Sequence, residues 1–219
     1  MERACQYRDT LLCNEFAMAR TYQLKRRAVT QAETRQRIVA AAVELHSTLG
    51  PAQTSLSAVA ERAGVQRHTL YAHFPQERDL ALACSALALA RDPLPDPEEW
   101  RHIAEPEERL RRGLAELYAW YERNAGLAAC VLRDAEIHAL TREIATLRLG
   151  PPMAALRQAL TEAVGRSPKR RALLAVALGF HTWRSLVEES GLGRAAAVDA
   201  MARAVLAPAP SRTTKRPAD

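Results

Sequence analysis

Glycine is scarce, with nine in 219 residues, and it is thinnest where apolar residues recur periodically. That scarcity, beside an abundance of alanine, leucine, arginine and glutamate, favours helix throughout. The four cysteines, Cys5, Cys13, Cys84 and Cys130, are scattered and form no CxxC pair. Neither a zinc site nor a disulfide framework is indicated, and no cofactor is expected. No apolar run is long enough to span a bilayer. The opening MERACQYRDTLLCNEF lacks the order of a signal peptide, so the cytoplasm is the default expectation. A nucleophile elbow, a phosphate loop and an HExxH motif are all missing. A helical enzyme built on His138, His181 and nearby Arg133 or Glu136 therefore has no motif to support it, and no enzyme is expected.

What is present belongs to a globular chain. Hydrophobic residues make up 48% and charged residues 26%, unlike a disordered sequence. The length suffices for a sizeable core in one domain or two. The formal net charge is +6, which suits an anionic partner but does not by itself identify one.

Residues 1–17 show no convincing period. Either Met18 is the biological start, or the first seventeen residues are a genuine flexible tail. The stretch ARTYQLKRRAVTQAETR after Met18 is basic, and residues 1–30 read as a flexible arm. From Thr34 the pattern becomes clean, with Ile38, Ala41, Ala42, Leu45 and Leu49 on one helical face. Gly50-Pro51 stops that helix. Thr54 or Ser55 can cap the next, whose inward residues are Leu56, Val59, Ala60 and Ala63. Gly64 suits the left-handed backbone of a tight turn. A short helix over about Gln66 to His73 follows, closed near Pro75. A fourth helix runs up to RDPLPDPEEW, the clearest boundary in the chain.

Helix, glycine-containing turn, helix is the arrangement of a helix-turn-helix DNA reader. With Leu70 at the centre of the inward face of the short helix, Phe74 also points inward. Arg67, His68, Thr69, Tyr71 and Ala72 then fall on the sides and the outside. Arg67 offers a bidentate donor pair to guanine, and Thr69 and Tyr71 can meet thymine methyls or phosphates. His73, near the helix end, can donate to a phosphate or merely hold the turn. A short polar surface helix with no nucleic-acid role is the plainer alternative.

At these residues the span from about Arg35 to Leu80 resembles the DNA-binding head of the TetR (tetracycline repressor) family. The resemblance is carried by Ile38, Ala41-Ala42, Leu45 and Gly50, then TSLSAVAERAGVQRHTLYAHFPQERDL, and above all by Ala63-Gly64-Val65, Thr69-Leu70-Tyr71 and His73-Phe74. It implies a recognition helix in the major groove and a preceding helix that supplies capping and phosphate contacts. Those roles would fall on Ser55, Ser57, Arg67, His68, Thr69, Tyr71 and His73. Gln66 stands where the family usually has a serine or threonine cap, His68 where glycine or alanine is common, and Glu77 where a phosphate-contacting lysine is frequent. His46 replaces an apolar aromatic and reads as a partly buried structural histidine. Arg20, Lys25, Arg26 and Arg27 either track phosphates or form a solvated basic tail.

The same resemblance implies that residues 81–207 form a helical effector-binding and dimerisation domain, after a head at 31–80 and before a disordered tail at 208–219. Four or five longer helices are expected there. One carries Leu110, Leu114, Leu117 and Tyr121. A separate one carries Leu127, Val131, Ala135 and His138, and Pro151-Pro152 opens another. The stretch 168–189 reads as one helix that is apolar on two sides, which calls for two buried faces. With the alanine-rich helix at about Arg194 to Leu206 it can make a four-helix bundle across a two-fold axis. Phe180, Trp183, Val187, Val198 and Met201 are the interface candidates, with a larger monomeric core as the alternative. Trp120, Tyr121, Arg133, His138 and His181 are the candidates for a ligand chamber, with plain core or surface roles as the alternative. The expectation is an all-α, homodimeric regulator that binds a double-stranded DNA operator and an unidentified small-molecule effector. Repression is implied by the resemblance alone. A helical architectural or interaction protein with a degenerate, non-specific DNA-binding head is the competing reading.

Overall fold

A computed structural model describes residues 26–165 and 167–207. All regular structure among them is helical, and no helix is long and apolar enough to cross a membrane. The first helix, α1, covers residues 26–48, so residues 26–30 are helical rather than part of a flexible arm. A 3-10 turn at Pro51–Gln53 precedes α2 (Leu56–Arg62), α3 (Arg67–His73) and α4 (Glu77–Arg91). Then come α5 (Glu98–Arg101), α6 (Pro106–Ile137), α7 (Ala139–Val164), α8 (Pro168–Ala177), α9 (Phe180–Arg184) and α10 (Arg194–Leu206). Residues Ser185–Glu189 form a π-helical turn directly after α9.

The chain divides into two compact units. The first holds the described residues up to Leu45 together with Gln53–Leu87; the second holds His46–Ala52 and the described residues from Ala88 onward. The first unit therefore extends to Leu87 rather than Leu80, and the end of α1 groups with the C-terminal helices. Ile38, Ala42, Val59, Leu70, Phe74 and Leu80 form the heart of the first unit's core. Cys84 joins it, and burial pushes its thiol up to about 12, which leaves it protonated and unreactive.

In the second unit α6 packs against α7 and α10, around Leu110, Leu114, Leu117, Leu156, Leu160 and Trp183. Three expectations about these helices are corrected. Two separate helices were expected between Leu110 and His138; instead α6 is continuous across all 32 residues to Ile137. It stops at His138, whose extended backbone begins α7 and whose Nδ1 lies 2.7 Å from the Thr141 hydroxyl. Arg142 secures this break by donating to the carbonyls of Ala135 (2.8 Å) and Glu136 (2.5 Å), two of the acceptors that the helix end leaves open. Second, Pro151 and Pro152 lie inside α7 instead of opening a helix. Pro151 removes the donor that the Leu147 carbonyl would use, but Leu147 is well exposed, so water can substitute. Third, the stretch 168–189 is not one helix. It breaks at Leu178-Gly179, where Gly179 is extended and acts as the N-cap of α9. The Thr182 hydroxyl donates to the Val176 carbonyl at 2.6 Å across the break.

The end of α1 is fixed by a polar cluster within the second unit. Buried Asp134 accepts from the Ala52 N–H at 2.8 Å and from Arg133 Nε at 2.8 Å, while Arg133 Nη2 donates to the Leu49 carbonyl at 2.8 Å. Between them Gly50 has φ +96°, and a Cβ there would collide with the Arg133 guanidinium and the Asp134 carboxylate. Glycine is required on both counts. Burial alone would raise the Asp134 pKa, but the bonds from Arg133 and the Ala52 N–H outweigh it and hold the carboxyl below its usual range. Asp134→Ala strands the Ala52 N–H and should cost about 1–3 kcal/mol. Thermal unfolding should register this as a fall of roughly 2–4 °C per kcal/mol; an unchanged midpoint would show that the cluster contributes nothing.

His46, in the same unit, is half-buried, and desolvation pulls its pKa below the ordinary value, opposed in part by the Asp134 charge. The neutral form is thus favoured in the folded state. Its contribution is complete above the unfolded value of 6.5 and declines as pH falls from there through the lower folded value. Denaturant titrations across that window should show wild type losing stability that His46→Gln retains. Parallel pH profiles would remove His46 as the cause.

Candidate nucleic-acid interface

The outward face of the first unit is set by how α2 and α3 are anchored. Ser55 is the N-cap of α2, its hydroxyl accepting from the Ala58 N–H at 3.1 Å. The helix ends at Ala63, and Gly64, with φ +64°, turns the chain. A Cβ on Gly64 would meet nothing, so only its left-handed backbone demands glycine there. The Val65 N–H returns to the Ala60 carbonyl at 2.9 Å, closing the turn. At the start of α3, Gln66 has the extended backbone of an N-cap but makes no side-chain capping bond.

Leu70 and Phe74 are both buried, at 0% and 1% exposure, and this orients the whole helix. Arg35 lies over the Phe74 ring, 4.4 Å from its centroid, and holds it from the other side. Opposite the buried pair, Arg67, His68, Tyr71 and Ala72 are exposed, while Thr69 and His73 are half-buried at the flanks. Ser57 is exposed on α2. The Arg67 guanidinium sits 5.5 Å from the Tyr71 ring centroid and donates to its hydroxyl at 3.2 Å. One helical turn separates the two, so each restrains the other's rotamer. The result is a pre-positioned fork of guanidinium donors beside an aromatic edge, a combination that fits guanine and thymine edges in a major groove.

Glu77 and Asp79 occupy the first turn of α4, where the helix dipole favours carboxylates. The acid at Glu77 thus has a structural reason, with Arg78 exposed beside it. Of the basic arm, Arg26 and Arg27 are exposed at the start of α1; Arg20 and Lys25 lie outside the described residues.

The second unit places the remaining candidates in different surroundings. Trp120 and Tyr121 are buried together; the indole donates to the Asp92 carbonyl at 3.0 Å and the phenol to the Leu178 carbonyl at 2.7 Å. Arg133 is exposed and belongs to the Asp134 cluster, and His138 is half-buried at the start of α7. His181 is exposed, its ring 5.7 Å from Phe180. The five therefore do not gather around one space. An open groove of about 590 Å³ lies elsewhere, between α5, α6 and the start of α10, and none of the five lines it. Its arginines are engaged: Arg111 with Glu107 and Asp199, Arg112 with Glu116, Arg194 with Glu122.

Of the interface candidates, Phe180, Trp183 and Val198 are buried within the single chain, because the break at Leu178-Gly179 turns this stretch into its own core. They are not free to meet a second copy. Val187 and Met201 are half-buried, and Val176, on α8, is 54% exposed. The doubly apolar pattern could have signalled Val176, which stands at helical spacing from Leu173.

The model for "Bacterial regulatory proteins, tetR family" matches residues 38–84 of this chain. No curated protein is significantly similar to it in sequence. Its fold is similar to that of a Clostridium perfringens protein described as a fatty acid metabolism regulator, with a TM-score of 0.58 and 17% identity over 78% of this chain and 96% of that one. It is also similar to a tetR-family transcriptional regulator from Streptomyces coelicolor, with a TM-score of 0.51 and 18% identity over 78% of each chain. A third similar structure is the multidrug binding protein EbrR complexed with imidazole, with a TM-score of 0.50 and 25% identity over 80% of this chain and 97% of that one.

Arg67→Ala should weaken binding to a preferred DNA site by ~1–3 kcal/mol and relax base preference at one position. Tyr71→Phe keeps the ring and removes only the acceptor that Arg67 uses, so its loss should be smaller, ~0.5–1.5 kcal/mol. Anisotropy titrations of both variants check this; equal losses on random and preferred DNA would mean that the pair contacts only phosphates.

Proposed function

We propose that this chain is a regulator of the tetR family, acting as a homodimeric, sequence-specific repressor released from its operator by a small-molecule effector. DNA-binding transcriptional regulation follows from the family. The observation that carries the finer reading is the exposed Arg67–Tyr71 pair on a helix anchored through Leu70 and Phe74. In this reading Arg67, His68, Thr69 and Tyr71 meet base edges, and Ser55, Ser57 and His73 meet phosphates.

Two heads in a dimer read successive major grooves ~34–36 Å apart. The second copy covers the outer faces of α8, the π-helical turn and α10, with Leu173, Val176, Val187 and Met201 as the apolar contribution; Val176 is the most exposed of these. The effector reading draws support from the likeness to EbrR, a multidrug binding protein whose structure holds imidazole. An effector that binds DNA-free protein better than DNA-bound protein lowers operator affinity, and by linkage operator DNA lowers effector affinity equally, typically by ~1–3 kcal/mol. The α4 helix, whose residues fall in both compact units, carries one of the three chain crossings between them.

The test is an anisotropy titration onto DNA from upstream of the protein's own gene, with scrambled DNA as control, at ~0.15 M salt. A preference of ~10³-fold or more is expected. Equal, weak binding to both would leave a non-specific architectural protein as the better description. Sedimentation tests the dimer separately. Wild type should sediment as two copies and Val176→Glu as one; an intact dimer in the variant would place the interface elsewhere.

A further inference from the structure

The rings of Tyr118, Trp120, Tyr121, Phe180 and Trp183 form a continuous buried cluster in the second unit. Tyr121 is its centre, 5.7 Å from Trp120, 5.4 Å from Phe180 and 5.8 Å from Trp183 by ring centroid. Its polar atoms are satisfied with one exception. Tyr118 donates to the Ala177 carbonyl at 2.9 Å, Tyr121 to Leu178 at 2.7 Å and Trp120 to Asp92 at 3.0 Å. The Trp183 indole N–H is fully enclosed, on a side chain 1% exposed, and has no acceptor; among the described residues no other buried side-chain nitrogen or oxygen is left so. Buried indole N–H groups almost always find an acceptor, so the exception needs a reason.

The backbone that carries Trp183 is irregular on both sides. The break at Leu178-Gly179 precedes it, and the carbonyls beside that break receive the two tyrosine hydroxyls. Directly after the five residues of α9 comes the π-helical turn at Ser185–Glu189. Such turns cost regular hydrogen bonding and are frequent at functional sites. A rigid core residue would need none of this, whereas a wall that parts to admit a molecule would.

We propose that Trp183 is the polar anchor of the effector site, and that the effector is an uncharged, planar aromatic molecule carrying a hydrogen-bond acceptor. The proposal rests on the effector-responsive reading above. The orphaned donor selects an acceptor such as a carbonyl oxygen or a pyridine-type nitrogen. The surrounding faces select a flat ring, stacked or edge-on against Tyr121 and Phe180. The cluster also contains no charged side chain. Burial raises the pKa of both tyrosines, so they stay neutral, and His181 is exposed beyond Phe180. A charged ligand would therefore be buried without a counter-ion, at heavy cost.

The chain has three tryptophans, so a ¹⁵N-labelled sample gives three indole N–H signals, and that of Trp183 is identified by its loss in Trp183→Phe. The probes are isoquinoline and naphthalene, which share a shape and differ by one acceptor, used at mildly alkaline pH where isoquinoline is neutral. Isoquinoline should shift the Trp183 signal downfield to saturation and bind about tenfold more tightly than naphthalene, the difference one net hydrogen bond makes. In Trp183→Phe that preference should vanish while both compounds still bind. The wild-type shift does not depend on how well the variant folds, because contacts to Phe180 also identify the signal. An unmoved Trp183 signal, equal binding of the two probes, or a preference that survives Trp183→Phe would overturn the proposal. So would a water molecule bridging the N–H in both free and probe-bound protein. Operator affinity measured on the same samples separates the two readings. A Trp183 shift with unchanged operator binding keeps the site and removes effector release, and release without the shift does the reverse.

Discussion

A helix of seven residues has no stability of its own in water, because nucleation costs more than so few hydrogen bonds return. The α3 helix exists because Leu70 and Phe74 are buried in the first unit's core, which contributes about 1.5–3 kcal/mol for each large side chain. Everything on its outer face follows from that anchoring. A helix rotated by one residue would bury Tyr71 and expose Leu70, and the Arg67–Tyr71 pair would no longer face outward. Ser55, Gly64 and the Arg35 cation over Phe74 serve the same end, since each removes a way for α2 and α3 to shift. Gln66 leaves the start of α3 without a side-chain cap, which makes the burial of Leu70 and Phe74 the more necessary.

The second unit is organised by hydrogen bonds at interruptions rather than by long regular helices alone. Arg142 closes the end of α6, Tyr118 and Tyr121 close the end of α8, and Asp134 with Arg133 closes the segment after α1. Each interruption frees backbone groups that a side chain then satisfies, so that polar groups find partners. Trp183 departs from that rule, and it does so inside the most aromatic part of the core.

The head was legible because its signals are local. Ile38, Ala41 and Ala42 share a face at helical spacing, Gly64 marks a turn only glycine takes easily, and Leu70 with Phe74 fixes which residues of α3 look outward. The C-terminal helices were less so. Nothing near Gly126 marks an end to α6, yet nothing in the apolar spacing says that two expected helices are one. Pro151-Pro152 suggests a helix start, but Leu147, one turn before Pro151, is exposed and α7 continues through both prolines. The pattern of 168–189 hid the break at Gly179, because the tyrosines that close it come from α6, more than fifty residues earlier. Periodicity alone could not show that Phe180 and Trp183 turn into their own core. The exposure of His181 was hidden for the same reason.

The proposed function rests on base reading by the outer face of α3. Selection of bound sequences from a random DNA library, run in parallel with wild type and Arg67→Ala, tests it directly. Wild type should select two inverted half-sites, with one base position losing its preference in the variant. No consensus for wild type, or an unchanged one in Arg67→Ala, would contradict it.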